Sequence, residues 1–164
     1  MNQAHLHLIL VHFPVVGSLA ALALLLRAYF LRTKESRSLA AFVAILVAGT
    51  AGAAYLTGEG AEHQVEKLVL ESAIESHESA ALAALVSAMI AGGLGLVALL
   101  TLYVRRMEGV TGLAQHGLLL ALIVSVVLIG IASQRGGSIR HTEIAGTNGN
   151  QENPETRLRE KDDD

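Results

Sequence analysis

The residues of this chain best able to do chemistry are its histidines. Three of them stand in an otherwise apolar opening, His5-Leu-His7-Leu-Ile-Leu-Val-His12-Phe-Pro14-Val-Val-Gly17. The others are His63, His77, His116 and His141. Imidazole at membrane depth is costly and marks a functional site by default. Neutral imidazole nitrogen ligates zinc, copper, nickel or iron, and two imidazoles on opposite faces of a haem iron suit an electron carrier. The chain has no cysteine, which excludes disulfides, thiolate metal sites, iron–sulfur clusters and haem attachment through C-x-x-C-H.

The elements that must position these groups follow from the charges. Residues 1–26, 38–58, 79–104 and 109–134 contain no Asp, Glu, Lys or Arg. Each can cross a hydrocarbon core, which takes roughly 20 helical residues. Hydrophobic residues make up 52% of the 164, and mean hydropathy is +0.48, too apolar for an ordinary soluble domain. The expected fold is an all-α integral membrane four-helix bundle with spans near 5–30, 38–58, 79–104 and 112–134. The bundle is expected to occupy residues 1–144, followed by a disordered polar tail over 145–164. No Lys or Arg precedes Arg27, so the first span does not read as a signal peptide.

Basic residues near the span ends set orientation. Arg27, Arg32, Lys34 and Arg37 follow the first span and Arg105 and Arg106 the third, whereas the second loop has Lys67 among six glutamates. Both termini and the second loop are therefore expected outside, although Arg135 and Arg140 count the other way. Within the second loop, residues from about 61 to the third span pattern as an amphipathic helix at the outer surface. Glu62, Glu66 and His77 project to its apolar side and His63 to the boundary.

Pro14 must either start the first helix or bend it, and so decides how deep His12 sits. Stripes of small residues run down the helices: Gly17 and Ala21; Ala40, Ala44, Ala48 and Gly52; Ala80, Ala84, Ala88 and Gly92; Gly117, Ala121 and Ser125. They allow close helix packing in lipid and would also leave room for a flat cofactor. His116 opens the fourth span at the opposite end and reads as an interfacial residue.

On this topology His5, His12, His63, His77 and His141 gather outside with Glu59, Glu62, Glu66 and Glu143. No spacing matches H-E-x-x-H, a ferritin-like Glu-x-x-His pair or a zinc finger. Gly92-Gly93-x-Gly95 sits mid-span with no preceding strand and is not a nucleotide loop. Three readings stay open. One is b-type haem on His12 and His77, with His141 as alternative ligand and Arg135 or Arg140 meeting propionates; quinone or a membrane or periplasmic redox protein would be its partner. Another is a zinc or copper ion on His12, His63, His77 and His141 with Glu62 or Glu66, serving sensing or transport. The last is a purely structural subunit. A homo-oligomer is open, no basic cluster points to nucleic acid, and no nucleophile–base pair points to an enzyme.

The sequence around His12-Phe-Pro14, His77-Glu and Gly-Gly-x-x-x-His141 resembles a family of small bacterial four-span membrane proteins of unknown function, over about residues 5–145. Its members sometimes occur beside or fused to cytochrome and redox modules. The resemblance implies a protein of the bacterial inner membrane and favours redox or haem work.

Overall fold

The computed structural model describes residues 3–65 and 71–140, without the side chains of residues 3, 4, 59, 61–65 and 138–140. Four long helices account for nearly all of them: α1 (Gln3–Leu31), α2 (Lys34–Val65), α3 (Glu71–Tyr103) and α4 (Thr111–Arg140). A short 3-10 helix, Arg105–Val110, joins α3 to α4. Pro14 lies inside α1, so it does not start the helix. It is buried, and the ladder continues on both sides of the missing N–H.

The breaks between helices have local causes. Arg32 adopts a left-handed φ of 53°, which ends α1 and turns the chain into α2. Val104 is extended and stops α3. The amphipathic helix expected between the second and third spans, joined to or bent into the third, is not seen as an element of its own among the described residues. Residues up to Val65 continue α2, and Glu71 to Glu78 are the opening turns of α3. Residues 66–70 and 141–164 lie outside the described residues, and with them Glu66, His141 and the polar tail.

The helices pack as a ring, α1 against α2, α2 against α3, α3 against α4 and α4 back to α1, with α1 and α3 diagonally opposed. The α1–α4 seam is the loosest of the four. The distribution of side-chain size is the reverse of a soluble bundle. The interior is mostly alanine, while large apolar side chains face outward, Phe30 at 84% exposed, Leu113 at 77% and Leu56 at 71%. All four helices are long and apolar enough to cross a membrane, with windows of mean hydropathy from 2.0 to 2.4. This is the character of a multi-pass membrane protein, whose outer surface is solvated by lipid.

Small residues set the spacing between α2 and α3. A Cβ on Gly92 would lie 2.5 Å from the Ala48 Cβ, and one on Gly95 would lie 2.9 Å from the Ala41 carbonyl oxygen. The second contact is with backbone, which cannot rotate away. Gly95→Ala should therefore cost about 1–3 kcal/mol of stability, as overpacking does. Gly93, with open space around its Cβ position, is the control: Gly93→Ala should be neutral or stabilising by up to ~1 kcal/mol. Thermal unfolding of both variants in detergent checks the pair.

Candidate cofactor site at the histidine end of the bundle

The buried positions of the two helical hairpins correspond. Pro14, Ser18, Ala21, Leu25 and Ala28 of α1 recur at one constant offset as Ala84, Ala88, Ala91, Gly95 and Ala98 of α3. Ser36, Ala40, Ala44, Val47, Ala51 and Ala54 of α2 likewise recur as Ala114, Leu118, Leu122, Ser125, Ile129 and Ala132 of α4. The second hairpin thus repeats the first, an arrangement known from membrane proteins built of parallel repeats.

Extending the correspondence by two turns pairs His7 with His77, and the geometry agrees. The Nδ1 of His7 donates to the Ala54 carbonyl at 2.8 Å, and the Nδ1 of His77 donates to the Ala132 carbonyl at 3.1 Å. A glycine lies one turn further along each acceptor helix, beneath the ring. A Cβ on Gly58 would come within 3.2 Å of His7 Cε1, and one on Gly136 within 2.9 Å of His77 Cε1. Thr57 Oγ1 adds a longer contact to His7 Nδ1, 3.4 Å.

The acceptors decide the tautomer. A carbonyl oxygen can only accept, so Nδ1 of each ring carries a proton. In the neutral ring this makes Nε2 the unprotonated nitrogen. Neither Nε2 has a hydrogen bond to a described group. Metal-ligating histidines are held in this way, with one ring nitrogen tied to a carbonyl or carboxylate and the other presented to the metal. The two histidines stand on α1 and α3, the diagonal helices, which do not pack on each other.

His12 is placed otherwise. It is exposed, and its Nδ1 donates to Leu8 of its own helix at 2.6 Å. His5, two turns earlier, is exposed too. The structure therefore does not bring His12 to His77; His7 occupies the inward position instead. No three His, Asp or Glu side chains converge as a metal-holding group among the described residues, so the broad cluster expected from sequence is not assembled there. The side chains of Glu62, His63, Glu66, Arg140 and His141 lie outside the described set. Arg135 does reach the site: its Nη1 donates to the Ser76 carbonyl at 2.9 Å, next to His77. At the far end His116 donates to Gly112 at 2.7 Å and packs on the Tyr29 ring, an interfacial packing role.

Around the pair the interior is mostly alanine, with Ala51, Ala54, Ala80, Ala84 and Ala132 buried. Val47 and Ile129 complete this half of the core, and the other half sets Leu25, Leu118 and Leu122 among further alanines. Sequence reasoning missed His7 because it weighed depth and Pro14 rather than register. The signal was present: the spacing Pro14, Ala21, Ala28, carried back seven residues, lands on His7.

Each cross-helix bond should be measurable. His7→Ala and His77→Ala are each expected to cost about 0.6–1.7 kcal/mol, the range for hydrogen bonds between membrane helices. His12→Ala should stay within about 0.5 kcal/mol, as surface changes do. Reversible unfolding in mixed micelles reads all three. Comparison with protein-family models, with curated proteins and with solved structures found no match.

Proposed function

We propose that the protein is a membrane-embedded b-type haem electron carrier in which His7 and His77 would hold the haem. The observation that carries this reading is the pair itself: two imidazoles on diagonal helices, each fixed through Nδ1 to a neighbouring carbonyl with Nε2 left as a lone pair. Haem b between two imidazoles supplies one-electron chemistry without an open position for oxygen. Gly58 and Gly136 let each ring lie against a helix backbone and so orient it. Arg135, held beside His77, has further N–H donors for a propionate. Quinone or another redox protein is the electron partner.

A transition-metal site on the same pair is the second reading. It rests on the same two unprotonated Nε2 nitrogens. Glu62, His63, Glu66 or His141 would complete the coordination of zinc or copper.

The setting in this proposal is the bacterial inner membrane with both termini outside. It rests on the basic residues Arg27, Arg32, Lys34, Arg37, Arg105 and Arg106, all at the opposite end of the bundle from the histidine pair. Glu71, Glu75 and Glu78, in the first turns of α3, then lie at the outer surface.

Protein purified in mild detergent should be red, with a Soret band that shifts on reduction. His7→Ala or His77→Ala should abolish the band, and His12→Ala should keep it. If the protein is colourless, unchanged by haemin, and carries about one zinc or copper per chain by elemental analysis, the ion replaces haem. Absence of both leaves the two histidines as interhelical clamps.

A further inference from the structure

A groove of about 460 Å³ runs along the lipid-facing surface between α3 and α4. Ser79, Leu82, Val86 and Ile90 line one wall, and Val124 and Leu128 the other. Its size falls in the range of about 300–1,000 Å³ usual for ligand sites. Leu82, Val86, Ile90 and Val124 are all exposed, so the groove opens to the bilayer along its length. From Ser79 to Ile90 the helix rises about 16 Å, close to half of a hydrocarbon core of about 30 Å. The groove therefore starts at the histidine end of the bundle and has the depth of one leaflet.

Its mouth is polar, and charges of both signs stand there. Arg135 lies two turns beyond Leu128 on the same line of α4, and its Nη1 donates to the Ser76 carbonyl at 2.9 Å. Ser79, in the groove wall, donates to the same carbonyl at 3.0 Å. One shared acceptor thus fixes the guanidinium at the end of the groove. Glu75 precedes Ser79 by one turn on the same line of α3 and is exposed. No hydrogen bond or ion pair of Glu75 is found among the described residues.

We infer that the groove holds one acyl chain of a phosphatidylethanolamine from the leaflet at the histidine end, with its phosphate on Arg135 and its ammonium on Glu75. A guanidinium matches phosphate oxygens. A carboxylate on the facing wall repels a purely anionic head group and accepts from a primary ammonium. The quaternary ammonium of a choline head group has no N–H to give it. A groove one leaflet deep suits an acyl chain, whereas a spanning helix of a second copy would need a face running through both leaflets. The site does not depend on what the histidines hold: Arg135 has five N–H donors, and Ser76 takes one of them.

Native mass spectrometry of the protein released from vesicles of equal phosphatidylethanolamine, phosphatidylcholine and phosphatidylglycerol is the test. Wild type should retain about one phosphatidylethanolamine per chain, and Arg135→Gln about tenfold less, the loss expected for one charge-assisted hydrogen bond. Glu75→Gln should abolish the preference for phosphatidylethanolamine over phosphatidylcholine. Ala83→Phe, which fills the groove from its wall, should lower retention of all three lipids. Arg106→Gln/Glu108→Gln, which removes one charge of each sign at the opposite end, should change nothing. Equal retention of the three lipids, a preference for phosphatidylglycerol, a lipid-free dimer, or retention unaltered in Arg135→Gln and Ala83→Phe would each overturn the assignment.

Discussion

Helices in lipid gain nothing by hiding apolar surface from one another, because the tails around them are as apolar as leucine. What remains is close contact between backbones and a few polar bonds across helices. The rest of this structure follows from that constraint. Alanine and glycine fill the interior while leucine, valine and phenylalanine face out, and α2 approaches α3 until Gly95 stands against the Ala41 carbonyl. A soluble bundle with this core would lack the apolar burial to fold.

Close approach also makes backbone carbonyls available as side-chain partners. His7 and His77 each reach across to a carbonyl one helix away only because glycine at 58 and 136 leaves room for the ring. The same packing rule that holds the helices together thus fixes the tautomer of both histidines. A carbonyl in an α-helix can accept a second hydrogen bond, as the Ala54 oxygen does from both Thr57 and His7. The histidines therefore clamp the hairpins without breaking the helical ladder.

Repetition of one hairpin explains why the site comes as a pair. The two halves share a register of buried positions, so a histidine two turns before Pro14 in one half and before Ala84 in the other reach equivalent depths in their own hairpins. The halves differ in detail along their length, as at Ala51 and Ile129 or Val47 and Ser125. At the end away from the histidines, Leu118 and Leu122 of α4 stand where α2 has Ala40 and Ala44, and Gln115 stands where α2 has Arg37. What the two halves keep in common is His7 with Ala54 and Gly58, and His77 with Ala132 and Gly136.

Composition and charge spacing alone determined that this is a helical chain with four segments able to cross a membrane, because a charge-free run of this length has few other uses. The small-residue stripes were legible for the same reason, and Ala40, Ala44, Ala48, Ala80, Ala84 and Ala88 are all buried. His77 was legible as well, standing at the head of its span. Which first-helix histidine faces inward was not. His7 and His12 differ by five residues, so they project about 140° apart on a helix, and a continuous apolar run does not say which face is lipid. Only the packing of α1 on α2, set by Gly17 against Val47 and His7 over Gly58, decided that His7 turns in and His12 turns out.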